Sequence, residues 1–301
     1  MATVVKSFAI QGIDGYPVDI EVKTLEGQPM INIIGLGDQA VREAAERVQA
    51  SIDEAGYVFP KKRVIISLAP SDKKKSGSHF DLAIAIGVLQ QNEDIAAKNI
   101  DEFGFIGELS LDGRLRGCRG ILPMIIAAQR SGLKKIVVPY ENVSEARLVK
   151  GIEIIGLGNL RDAIKVLEGK IVNNGWNKEG CLSSIDNEEK ILDFSDVKGQ
   201  GDMVDAVLLA AAGGHNMLMI GEPGCGKTMI AQRIPTILPQ MTENECLEVT
   251  KIYSISGMKA SGDFLIKNRP FRAPHHNVSL NALIGGGVNA MPGEVSLAHN
   301  E

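Results

Sequence analysis

The stretch "GEPGCGKT", Gly221–Thr228, constrains this chain more than any other. The spacing Gly-x-x-x-x-Gly-Lys-Thr lets consecutive backbone N–H groups turn toward one anion, and such a loop is built between a strand and a helix. The apolar run "NMLMI" before it and "TMIAQRIP" after it predict both elements. Lys227 is then placed to reach the β and γ phosphates of a nucleotide, and Thr228 to ligate magnesium. ATP and Mg2+ are the expected cofactors, held by Gly221, Glu222, Pro223, Gly224, Cys225, Gly226, Lys227 and Thr228. Cys225 reads as a small residue tolerated in the turn.

Hydrolysis asks for more than a cradle. A carboxylate at the end of a later apolar strand must hold the metal, and a base must position the attacking water. After Thr228 the apolar runs are "FLIKN", "ALIGGGV" and "EVSLAHNE", and none ends in an Asp-Glu pair. Either the chain binds nucleotide without cleaving it, or those carboxylates lie in sequence that is not here.

The 301 residues suffice for about two domains, and 44% hydrophobic content gives each a core. "VVKSFAI", "PVDIEVKTL" and "PMINIIGLG" read as strands joined by tight turns, an antiparallel opening. "DQAVREAAERVQASIDEAG" follows at helical spacing, with Asp38 as N-cap and Gly56 as stop. Alternating strands and helices continue to residue 170, which predicts an α/β domain over 1–170. Residues 171–193 are polar and aperiodic and read as a linker, and a second α/β segment occupies 194–301.

A net charge of -5 gives no global attraction to nucleic acid, so any such contact must come from local patches. The four cysteines form no C-x-x-C pair, and one lies inside the phosphate loop, so a reducing cytoplasm is the expected compartment. No run reaches 18 apolar residues, which predicts no membrane span.

"DVKGQGDMVDAVLLAAAGGHNMLMIGEPGCGKTMIAQRIPTILP", with "FRAPHH" and "PGEVSLAH" downstream, resembles the magnesium-chelatase-like AAA+ ATPases of the YifB/ComM family. The resemblance covers essentially the whole chain. It implies that the Walker B strand follows "PGEVSLAH" within a few residues, so the chain is expected to stop short of it and to be inactive alone. It places Val197, Gly199 and Gln200 near the adenine. It also implies a hexameric ring whose pore is approached by the segment holding Gly285, Gly286 and Gly287, with Arg272 as a further candidate contact to DNA phosphate.

The opening domain, above all "GELSLDGRLRGCRGILPMIIAAQRSGLKKIVVP", resembles the proteolytic domain of Lon-type proteases. That implies an α+β, ribosomal-protein-S5-domain-2-like fold ahead of the P-loop domain. Lon-type enzymes use a serine activated by a lysine. Here Ser76 and Ser78 are candidates, His79 falls at the family's serine, and Leu122 at its lysine. Leucine takes no proton, so the dyad is expected to fail. Lys73, Lys74 and Lys75 read as a solvated run rather than a substitute base.

Basic clusters at 61–63, 73–75 and Arg114, Arg116 and Arg119 could meet a phosphate backbone, without aromatic residues for stacking. The adjacent His275 and His276 point apart in a strand and suit hydrogen bonding better than a metal. The reading is an ATP-driven motor of the YifB/ComM type acting on DNA in recombination. The alternatives are a magnesium-chelatase-type subunit driving metal insertion and, less favoured, an ATP-dependent protease.

Overall fold

The computed structural model describes residues 2–95, 97, 99–170, 192–258, 265–287 and 291–300. The expected linker, 171–193, lies almost wholly outside the described residues. The chain forms two compact units, the first containing the elements up to Leu167 and the second most of those from Phe194 onward.

The first unit opens with β1 (Thr3–Gln11) and β2 (Asp14–Leu25), antiparallel from Thr3↔Val22 to Gln11↔Asp14. Next come β3 (Met30–Ile34), α1 (Gln39–Glu54) and β4 (Arg63–Ala69). β4 lies antiparallel to β2 but parallel to β3. The antiparallel opening therefore holds for two strands and not the third. α1 carries the chain back from the end of β3 to the start of β4, so both strands run the same way. Then follow α2 (Asp81–Gln91), β5 (Phe103–Phe105), the hairpin β6 (Glu108–Leu109) and β7 (Leu115–Arg116), and α3 (Ile121–Arg130). The unit closes with β8 (Lys135–Pro139), α4 (Val143–Ala146), β9 (Glu153–Leu157) and α5 (Leu160–Leu167). Among the described residues, seven strands form one mixed, mainly parallel sheet in the order β3-β4-β2-β1-β5-β8-β9.

Both faces of the sheet are covered, and the side chains of β8 show it: Val137 joins one hydrophobic cluster and Ile136 and Val138 the other. α2 is buried along Asp81–Leu89, so it reads as apolar all round rather than striped. α1 has one buried stripe, Val41, Ala44, Val48 and Ile52. Its start is fixed by Asp38, whose carboxylate accepts the Val41 amide at 3.0 Å, and Gly56 follows its end at φ +91°. At Gly15 any Cβ would sit 2.1 Å from the Pro123 carbonyl oxygen, so only glycine lets β2 lie this close to α3.

The second unit contains α6 (Gly201–Gly213), α7 (Lys227–Ala231), α8 (Glu243–Ser256) as far as Tyr253, α9 (Leu280–Ile284), the short β10 (Gly285–Gly286) and α10 (Glu294–Leu297). Phe194, Val207 and Ile230 form its buried centre, with Val197, Met217 and Met219 against them. The strand expected over Asn216–Ile220 forms no ladder among the described residues. Its alternation survives: Met217 and Met219 pack inward, while Leu218 and Ile220 are 83% and 84% exposed. A strand is held by the N–H and C=O groups of a neighbour, and no described segment pairs with this one. No helix among the described residues is long and apolar enough to cross a membrane.

Candidate nucleotide site and the pocket of the first unit

The phosphate loop is shaped by two glycines in the left-handed region, Gly224 at φ +84° and Gly226 at φ +85°, where a side chain would be strained. Gly226 caps α7, and its carbonyl accepts the Ile230 amide at 3.0 Å. Lys227 folds back across the loop it follows. Its Nζ donates to the carbonyl oxygens of Gly221 and Glu222, both at 2.8 Å, and lies 3.3 Å from Cys225 Sγ. These are weak, exposed partners for an ammonium, and phosphate oxygens bearing charge would replace them favourably.

The "DVKGQ" segment meets the loop through Gln200, whose Nε2 donates to the Cys225 carbonyl at 3.1 Å. Gln200 is itself left-handed, at φ +56°, and stands at the start of α6, with Gly199 at φ +75° before it. Val197 packs on the Phe194–Val207–Ile230 centre. Of Val197, Gly199 and Gln200, only Gln200 contacts Gly221–Thr228 among the described residues. The residues present fit a magnesium nucleotide: a glycine turn, an ammonium over it, and Thr228 exposed at the helix start.

Downstream, Gly285, Gly286 and Gly287 all have positive φ, at +89°, +121° and +78°. Arg272 does not stand free. It binds Glu294 through two nitrogens, at 2.6 and 2.7 Å, which holds the Glu294 carboxyl below its usual range. This pair ties "FRAPHH" to "PGEVSLAH" and was not legible in either motif alone. Gly293 was also missed: its Cβ would lie 2.2 Å from the Gly285 amide nitrogen. His275 Nδ1 accepts the Asn277 amide at 3.2 Å, and no group of three His, Cys, Asp or Glu among the described residues could hold a metal.

In the first unit, Asp38, Ser76, Ser78, His79, Glu108 and Cys118 line one pocket. Asp38 is fully engaged, Oδ1 with Val41 and Oδ2 with the Gly77 amide at 3.1 Å. Ser78 donates to Glu108. His79 is buried, its Nε2 makes no hydrogen bond among the described residues, and burial pulls its pKa down to about 4. Cys118 is pushed up to about 12 by burial, which keeps it a thiol. Leu122 is fully buried on α3.

The solvated reading of the lysine run needs correction at its last member. Lys75 is fully buried, donates to the Pro70 carbonyl, and has its pKa lowered by that burial, while Lys74 is exposed and Lys73 lies over the Tyr16 ring at 4.5 Å. The run follows the chain's turn into the core at Lys75, whose amide and carbonyl pair with Leu36 and Asp38. Yet Lys75 donates to a carbonyl and Ser78 to a carboxylate, so the two do not make a serine-lysine dyad. Of the basic clusters, Lys62 pairs with Glu26, Arg114 with Asp112 and Arg116 with Glu108, at 2.8, 2.6 and 3.7 Å.

A glycine-rich turn that opens a helix, with a lysine ammonium lying over it, marks the chain as a protein of the P-loop class. Comparison with known proteins agrees. The family model "Magnesium chelatase, subunit ChlI" matches residues 193–301, and "Subunit ChlI of Mg-chelatase" matches 20–142. Competence protein ComM of Haemophilus influenzae is 38% identical, and Uncharacterized protein YifB of Escherichia coli 39% identical, each over 99% of this chain and 58% of its own length. Lon protease 2 of Bacillus subtilis is 27% identical over 52% of this chain and 30% of its own. The chain belongs to the YifB/ComM family of magnesium-chelatase-like AAA+ proteins. It spans 58% of the length of these family relatives.

Proposed function

We propose that the chain is the nucleotide-binding part of an ATP-driven ring motor that acts on DNA, hexameric when assembled, with a first unit that has lost proteolysis. The observation that carries this reading is Lys227, whose ammonium spans the glycine turn on the carbonyl oxygens of Gly221 and Glu222 and the Cys225 sulfur, with no carboxylate to neutralise it among the described residues. Lys227 would hold the β and γ phosphate oxygens of the nucleotide, the backbone N–H groups of Gly224–Thr228 would donate to the phosphates, and Thr228 Oγ1 would be a ligand for magnesium. Bound magnesium ATP supplies the phosphoanhydride whose cleavage drives motors of this class. Gln200 holds the loop carbonyl at Cys225, and Val197 and Gly199 offer an apolar, unhindered edge to the base.

Binding without turnover is proposed for this chain by itself, since no apolar run after Thr228 ends in the acidic pair that hydrolysis requires. Non-proteolysis is supported by Leu122 at the base position and by His79 held neutral at the nucleophile position. The DNA reading is supported by a relative named as a competence protein and by side chains such as Lys74 and Arg119, exposed and without an acidic partner among the described residues. Contact would be to phosphates, because aromatic content is 4%.

Retention of a labelled four-way DNA junction across a salt series tests it. The expected result is binding at 50 mM salt that weakens steeply by 200 mM and weakens further in a K74A/R119A variant. Absence of binding at low salt would sink the DNA reading.

A further inference from the structure

The sheet of the first unit ends on β3, which has β4 on one side and no ladder partner on the other among the described residues. Free strand edges are ordinarily blunted by charge, proline within the strand, or a covering element. The opposite edge, β9, follows that rule: Glu153 pairs with Lys135, and Val143 of α4 closes on Gly156. β3 does not. Its five residues, Met-Ile-Asn-Ile-Ile, carry no charge, and Met30 and Ile34 are 53% and 54% exposed.

A groove wraps this edge, and its walls carry cations on both faces of the sheet. Ile31 and Ile33 pack on the core beside α1, where Arg42 and the small Ala45 flank them. On the other face the parallel register sets Met30 beside Arg63 and Asn32 beside Ile65. Neither guanidinium makes a hydrogen bond or ion pair among the described residues, and both arginines are exposed. An incoming strand would alternate its side chains between the two faces, so acidic residues an odd number of positions apart would meet one arginine each.

We propose that the free edge of β3 docks an extended segment of a partner protein, β-branched with acidic residues interspersed, as an eighth strand of this sheet. Main-chain hydrogen bonds to β3 supply affinity, and Arg42 and Arg63 select for acid. The edge is separate from the phosphate loop and does not depend on the nucleotide reading.

The test uses the full chain and a blocked, fluorescein-labelled peptide, TEVIVTEV, whose two glutamates fall on opposite faces of a strand. Anisotropy should show saturable binding that 0.5 M salt weakens, with slowed hydrogen exchange at amides 30–34. The glutamine peptide TQVIVTQV and an R42A/R63A chain should each bind at least tenfold more weakly, and the lysine peptide TKVIVTKV not at all. Both arginines are exposed, so the variant should unfold at the wild-type urea midpoint, and the peptide series reads charge selection independently of it. Equal binding of the three peptides, or unchanged exchange at 30–34, would overturn the proposal. So would displacement of the peptide by duplex DNA, which would assign the arginines to phosphate, or a dimer of the chain that protects 30–34 without peptide.

Discussion

Arg272 and Glu294 face each other with two nitrogens on two oxygens, Nε–Oε2 at 2.6 Å and Nη2–Oε1 at 2.7 Å. Both side chains are about one quarter exposed, so the pair is shielded from solvent better than most surface ion pairs. It makes Arg272 a tie between two motifs before it can be anything else. Arg272→Ala should lower stability of the second unit by about 1–2 kcal/mol, and Glu294→Gln by less, since glutamine keeps one hydrogen bond. A urea titration of both variants and the double variant checks this. Strictly additive losses would mean the pair contributes nothing of its own.

Gly293 allows the backbone of "PGE" to touch that of Leu283–Gly285, and no rotamer can relieve a clash with backbone atoms. Gly293→Ala should therefore cost more than the usual few tenths of a kcal/mol, about 2 kcal/mol or more. Proteolysis between residues 280 and 300 should accelerate in the variant. Wild-type resistance would show that the two segments are not packed as described.

In the first unit, Asp81 is fully buried and answers to Arg47 at 2.7 and 3.1 Å and to the Leu109 amide at 3.2 Å. Burial outweighs these partners and raises its pKa to about 6. Arg47→Met should leave an unpaired buried carboxylate and destabilise by about 3 kcal/mol at pH 7. The loss should shrink as pH falls below 6, because Asp81 is then protonated in the folded state. A penalty independent of pH would contradict the assignment.

His79 runs the opposite way. Its folded pKa, about 4, lies below the ordinary 6.5, so its contribution is full above 6.5 and is lost as pH falls through 4. A shift of that size corresponds to about 3 kcal/mol. Asp81 partly offsets it, since a raised carboxyl favours the folded state as pH drops from 6 toward its ordinary value. Chemical denaturation of His79→Leu between pH 7 and 4 separates the two. The variant should lose less stability than wild type over that window; an equal loss would place His79 in solvent.

How much of this was readable beforehand follows from the range of each interaction. The glycine turn before α7, the Asp38 cap and the buried helix after "SHF" are local, carried by a few adjacent residues, and the sequence displayed them. The parallel seat of β3 depends on where α1 returns the chain, which no residue of β3 announces. Lys75 looked like its two neighbours because a charge run says nothing of a turn into the core. The Arg272–Glu294 and Arg47–Asp81 pairs join residues 22 and 34 positions apart, beyond any periodicity. The strand expected at "NMLMI" kept its alternation but not its ladder, since pairing belongs to two segments and not to one.

Nucleotide binding by the intact chain, followed with a fluorescent ATP analogue with and without Mg2+, tests the central claim most directly. Wild type should bind saturably and more tightly with magnesium, Lys227→Ala should weaken binding at least tenfold, and Thr228→Ala should remove the magnesium dependence. Binding that is indifferent to Lys227 would contradict the phosphate cradle, and with it the proposed motor.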